Sequence, residues 1–170
     1  DPSIQHFWVL NPDAMSAPDT VEAILKTAAQ NPGYGMMGGR VCYAEPPHRV
    51  QIDGGTIDKR TGVTGNVNLG RPMAEAPAPT GAQLDFITGA SMIVSRAFYE
   101  RVGPMREDYF LYYEEVDWAC RRGDLSLVVA PDAIVYHRAG TAIGSPTLER
   151  LASPFSIWFK HRGRMRFMRR

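Results

Sequence analysis

His6-Phe7-Trp8-Val9-Leu10-Asn11-Pro12-Asp13 is a short apolar run stopped by a turn tripeptide, and it reads as a buried strand that delivers Asp13 to its end. Ser16-Ala17-Pro18-Asp19 follows as a helix start, with a capping serine, proline in the first turn and an acid three residues on. Val21, Ile24, Leu25 and Ala28 then fall at i, i+3, i+4 and i+7, which predicts one apolar helix face ending near Asn31-Pro32-Gly33. Tyr34 to Tyr43 resumes as a strand. This strand–helix–strand unit sets the fold class as α/β, and its polar turn lies at the strand end where open α/β sheets bind ligands.

Outward from that unit the pattern changes. Residues 45–83 carry Pro46, Pro47, Pro72, Pro77, Pro79 and many glycines, and read as a long excursion with a small hairpin around Gly54–Gly65. Leu84 to Ser95 reads as a strand interrupted at Gly89-Ala90. Short helices are expected over Arg96–Val102 and Glu114–Arg122, and strands over Leu125–Ala130 and Ala133–His137. The expected organisation is one domain over 1–150 and a basic, aromatic helix over 151–170.

Composition fits that reading. A chain of 170 residues with 44% hydrophobic content is long enough for one sizeable core. The formal charge of +1 gives no bulk attraction to nucleic acid, so no nucleic-acid partner is expected. No apolar run reaches the ~20 residues that span a bilayer, and the polar Asp1-Pro2-Ser3 opening does not read as a secretory leader. Cys42 and Cys120 lack metal-type spacing and sit among hydrophobes, as buried thiols of a reducing compartment do. The expectation is a cytoplasmic globular domain. Charge is uneven, though: no acid follows Glu149, while Arg150, Lys160, Arg162, Arg164, Arg166, Arg169 and Arg170 do, interleaved with Phe155, Ile157, Trp158, Phe159, Met165 and Phe167. Such a segment either lies on an anionic membrane or holds phosphates, or is a solvated terminal helix.

The densest chemistry is Tyr109-Phe110-Leu111-Tyr112-Tyr113-Glu114-Glu115-Val116-Asp117-Trp118. Three acids in four residues repel one another, so one carboxyl is expected to titrate high unless a cation intervenes. On a helix Glu114 and Asp117 share a face while Glu115 points about 100° away. First-turn acids also simply complement a helix dipole. The aromatic run before them argues for a packed cleft. Asp13 is the second candidate, because hard divalent cations take one or two carboxylates plus substrate phosphates. His137, closing Ala133-Ile134-Val135-Tyr136, is the third.

In order, these segments resemble the family-2 inverting glycosyltransferases of GT-A type, in their rhamnosyltransferase-like branch. Phe7 to Asp13 is similar to that family's strand and degenerate Asp-x-Asp motif, and Asp85-Phe86-Ile87-Thr88-Gly89-Ala90 to its D-F-x-x-G-A strand. Val102 to Trp118 resembles its catalytic-base segment. Pro131 to His137, with Gly140 and Ser145, resembles its histidine segment, and His161-Arg162-Gly163 sits where the family has Arg-Asn.

The resemblance implies a partial GT-A, Rossmann-like mixed sheet flanked by helices, the C-terminal portion without the N-terminal nucleotide-binding strands. It implies transfer of a sugar from a nucleotide-diphospho-sugar, such as dTDP-rhamnose, to a glycan or lipid-linked acceptor with inversion. Glu115 falls on the general base, with Glu114 and Asp117 as supporting acids. Asp13, His137 and Asn11 would hold magnesium or manganese. Gly89, Ala90 and Trp118 would line the sugar pocket, and Arg162 would meet phosphate or lipid. Asn11 replaces the motif's first acid, and Glu115 replaces the commoner aspartate. With only ten residues before Asn11, the chain is expected to be inactive alone, to expose a sheet edge prone to self-association, and to work at the inner face of a membrane. The alternative is a non-catalytic glycan-binding module of the same fold.

Overall fold

The computed structural model describes residue 1 and residues 3–138 and 144–170. Gly140 of the expected histidine segment lies outside them. The strands are β1 (His6–Leu10), β2 (Ala14–Ser16), β3 (Tyr34–Tyr43), β4 (Val50–Ile52), β5 (Gly55–Ile57), β6 (Thr64–Asn66), β7 (Ser91–Ser95) and β8 (Ser126–His137). The α-helices are α1 (Thr20–Gln30), α2 (Arg96–Val102), α3 (Glu114–Cys120) and α4 (Pro154–Met168). Six strands form one mixed sheet in the order β1-β7-β3-β8-β2, with β4 on β3. Among the described residues, only β3 and β8 pair in parallel. The protein is therefore α/β, and β5 and β6 form the small hairpin expected inside the excursion.

Strand alternation divides the core between the two faces of the sheet. Met36, Met92 and Val94 point to one side, against Phe98 of α2 and Val116 and Trp118 of α3. Met37 and Ile93 point to the other, against Ile24 and Ala28 of α1. At Gly39 a Cβ would lie 2.5 Å from the Ala133 carbonyl, so only glycine lets β8 press this close.

Four sequence expectations shift. Ser16 ends β2 and caps nothing; α1 begins at Thr20 after Asp19. The Thr20 hydroxyl donates to the Ile134 carbonyl at 2.7 Å, which turns the buried face of α1 to Thr20, Ile24 and Ala28. Val21 and Leu25 of the expected apolar face are exposed. Residues 84–90 stay outside the strand, because Phe86 turns aside to bridge Gly55. The two expected strands after Leu125 are one, β8, with a register shift against β3.

The excursion is pinned by a buried ion pair. Arg40 of β3 reaches both carboxylate oxygens of Asp53 at 2.8–3.1 Å and donates to the carbonyls of Met73 and Ala76. Asn68 adds a bond to the same carboxylate at 2.8 Å. The sequence holds no periodicity that would announce this lock.

Candidate functional site

Two clusters carry the chemistry. The first forms where β1 ends. Asn11 to Asp13 make the turn into β2, anchored by Asn11 N–H on the Ala90 carbonyl at 3.2 Å and Ala14 N–H on the Asn11 carbonyl at 3.0 Å. Because β2 pairs with β8, Ala14 stands opposite His137. Asp13 thereby arrives beside the imidazole, with Oδ1 3.1 Å from Nε2. Asn11 Nδ2 lies 3.4 Å from the same nitrogen, and Gln51 Oε1 of β4 lies 2.9 Å from Nδ1. Gly89 borders open space, since a Cβ built there meets nothing within 4 Å.

The bonding around His137 is informative. With the proton on Nε2, His137 donates to the Asp13 carboxylate; with it on Nδ1, His137 donates to Gln51 Oε1 and turns the Nε2 lone pair toward Asp13 and Asn11. The side chains of His137 and Asp13 remain 12% and 30% exposed, so the site is reachable. Among the described residues, no group of three or more His, Cys, Asp and Glu could hold a metal. A carboxylate, an imidazole and an amide nonetheless fit a magnesium- or manganese-type ion whose remaining ligands are water and substrate phosphate.

The second cluster is the start of α3. Phe110, Tyr112 and Tyr113 all have positive φ, at 66°, 62° and 75°. Non-glycine residues held there cost about 1–3 kcal/mol each and persist only under firm constraint. The constraint comes from α4. Tyr112 Oη bonds Ser156 at 2.7 Å and Ser145 at 2.6 Å, and Tyr113 Oη donates to the Gly62 carbonyl at 2.6 Å. Gly163 lets α4 settle on this loop, for a Cβ there would lie 2.7 Å from the Tyr112 carbonyl.

The loop delivers Glu114 and Glu115 with Oε2 of each buried and without a hydrogen-bond partner. Burial first and the neighbouring Glu114 second push the Glu115 carboxyl up to about 8, against the lowering effect of the Glu115 and Val116 backbone N–H groups and of Lys160. Burial also raises Glu114. The carboxyls that act on each other are therefore the adjacent ones. Asp117, expected to share work with Glu114, is instead buried against Arg121 at 3.2 Å and paired with Arg170. The shared helix face was real, but arginines from α3 and α4 claim one of its two acids.

The remaining predicted residues separate. Ala90 supports the Asn11 turn through its carbonyl. Trp118 does not line a pocket: it is buried in the core, its ring edge-on to Phe98 and its Nε1–H donating to the Gly103 carbonyl at 2.8 Å. Arg162 donates to the Tyr109 carbonyl at 3.0 Å and lies over Trp158 and Phe159, so part of its donor set is spent on structure. Gln51 and Lys160 were missed. Gln51 sits inside the excursion, where nothing in the pattern marks it, and Lys160 looked like one charge of a basic run. A cavity of about 890 Å³ between α1 and β8, bordered by Lys26, Thr80 and Asp132, holds none of the predicted site residues.

No family model matches the chain. Over 158 residues, 86% of the chain, it is 27% identical to N-acetylglucosaminyl-diphospho-decaprenol L-rhamnosyltransferase of Mycobacterium tuberculosis, in strains CDC 1551 / Oshkosh and ATCC 25618 / H37Rv, covering 52% of that protein. Over 115 residues, 66% of the chain, it is 25% identical to the low-salt glycan biosynthesis hexosyltransferase Agl10 of Haloferax volcanii, covering 35% of it. The chain spans about half the length, or less, of the curated relatives it matches. It is similar to glycosyltransferases over most of its own length.

Proposed function

We propose that this chain carries the base and cation-binding part of an inverting, metal-assisted glycosyl transfer centre of the family-2, GT-A kind. The donor is a nucleotide-diphospho-sugar, with dTDP-rhamnose the first to try. The acceptor is a glycan or a lipid-linked sugar. The observation that carries the reading is the pair of buried, unpartnered carboxyl oxygens on Glu114 and Glu115, an expensive feature that folding alone does not require.

Glu115 is the general base. Its carboxylate takes the proton of the acceptor hydroxyl as that oxygen bonds to the anomeric carbon. The carbon–oxygen bond to the diphosphate breaks on the opposite face, and its electron pair leaves with the nucleoside diphosphate. A base that titrates near neutrality is suited to this step. Glu114 keeps the site from holding two negative charges at once.

Asp13, His137 and Asn11 would hold the divalent cation, with Gln51 fixing the imidazole tautomer. Such an ion neutralises charge on a leaving diphosphate. Gly89 leaves room beside it for the sugar, and Ala90, buried in the core, would border that room only through its backbone. The reading sets the reaction in the cytoplasm, at the inner face of the membrane, with self-association through the β1 edge of the sheet.

The test is Glu115→Gln, assayed in this chain and in any longer polypeptide that contains it. Turnover is expected to fall about 10²–10⁴-fold while donor binding persists. Normal turnover with a dead Glu114→Gln would move the base to Glu114. Glycan binding with no turnover in any form would favour the non-catalytic module.

A further inference from the structure

The aromatic half of α4 faces the wrong way for an ordinary surface helix. In its first turns the inward stripe is small: Ser156 and Gly163 are buried against the Tyr112–Tyr113 loop. Its outward stripe holds Phe155 and Trp158, which are 49% and 58% exposed, with Ile157 and Met165 beside them at 46% and 52%. Phe167 turns inward onto Tyr113, so apolar groups lie on both sides of the helix.

These aromatics make one patch. Phe155 and Trp158 each contact Phe159, with ring centroids 4.7 and 4.6 Å apart, and Phe159 meets Phe110 at 5.1 Å. Phe110 is 73% exposed and sits at positive φ, so backbone strain holds an apolar ring out toward solvent. Leu151, 92% exposed, precedes the helix. Arg162 lies over Trp158 and Phe159 within about 6 Å of each centroid.

Charge selects the occupant. The chain from Arg150 to Arg170 has seven arginines and lysines and no acid. Arg166 and Arg170 meet Asp108 and Asp117, yet the segment stays strongly cationic. Aromatic rings flanked by cations suit the boundary between headgroups and acyl chains of an anionic bilayer. A second copy of the same cationic face would be repelled.

We infer that α4, with Phe110 and Leu151, is a docking surface for an anionic membrane. The inference deepens the proposed function, on which it rests in one respect: the same helix packs on the Tyr112–Tyr113 loop that leads into Glu114 and Glu115, so docking would bring the base to a lipid-linked acceptor.

The experiment is co-sedimentation of the chain with vesicles of phosphatidylcholine alone or mixed with phosphatidylglycerol, at low and high salt. Binding is expected only to the anionic vesicles and to fall as salt shortens the screening length from about 10 Å at 0.1 M to about 3 Å at 1 M. Phe155→Ser with Trp158→Ser should weaken it at least tenfold, and Arg169→Gln about fivefold. These side chains are exposed, and circular dichroism of each variant checks that it folds. Equal binding to both vesicle types, no binding, or indifference to the Phe155/Trp158 pair would overturn the inference. So would concentration-dependent dimerisation, without vesicles, that the same pair abolishes. No activity is needed for this readout. Vesicle binding with a fully active Glu115→Gln would sink only the base assignment, and the converse result only the docking surface.

Discussion

Asp53 is fully buried and Glu115 has a buried carboxyl oxygen, and they meet burial in opposite ways. Asp53 is surrounded: Arg40 supplies a forked contact, Asn68 a further donor, and the spare nitrogens of Arg40 cap the carbonyls of Met73 and Ala76. Glu115 has an acid for a neighbour, a lysine as its opposing charge, and an oxygen with no partner. The first arrangement holds a loop in place. The second keeps a proton easy to exchange. Partners, not depth, decide whether a buried carboxyl stabilises a fold or is poised for chemistry.

Removing a partner should expose the contrast most sharply. Arg40→Met leaves Asp53 without its countercharge and with the Asn68 amide as a neutral donor, and unfolding by denaturant should show a loss of about 3–5 kcal/mol. A loss below about 1 kcal/mol would mean that the pair is not holding the excursion. Glu115→Gln should move stability the other way or not at all near pH 8, because it removes the charge that burial opposes.

Proton linkage sharpens the same point. The folded-state value for Glu115 lies above its ordinary value of 4.5, so between about pH 4.5 and 8 the folded protein holds the extra proton. Stability from this group is complete below the lower limit and declines as pH rises through the window. Melting temperatures measured from pH 4.5 to 8.5 should slope downward in the parent chain and less so in Glu115→Gln. Parallel curves would break the assignment. The smallest effect belongs to an exposed acid: Glu100, paired with Arg96 one helical turn away, should change stability by no more than about 0.5 kcal/mol when made Gln. A larger change would show that exposure is not what sets Glu100 apart from the other two.

How far the sequence spoke depended on the range of the interaction. β1, β3 and α2 were readable to the residue, since an apolar run or a serine cap followed by a glycine stop is written locally. The Asp13–His137 meeting was anticipated only through family resemblance, and β2 pairing with β8 brings it about. Trp118 shows the limit: its place beside the acids suggested a cleft, while its ring packs on Phe98 twenty residues earlier. The Arg40–Asp53 lock left no signal, because neither residue is unusual until β4 folds back on β3. Glu114 and Asp117 were grouped correctly by helix geometry and then divided by Arg170, far along the chain.

The pairing of β3 with β8 also bears on how the chain acquires its fold. Tyr34 stands beside Ser126, and β7, on the other flank of β3, is nearly sixty residues downstream. The central strand is therefore made early and matched late. At ribosomal rates of about 5–20 residues per second, β3 waits on the order of 5–20 s before its parallel neighbour is synthesised. Its ten residues, all buried in the finished sheet, spend that interval without the strand that pairs along most of their length. Folding should accordingly be slow for a domain of this size, limited by closure of a long loop, and chaperone demand should concentrate on the stretch from Tyr34 to Tyr43.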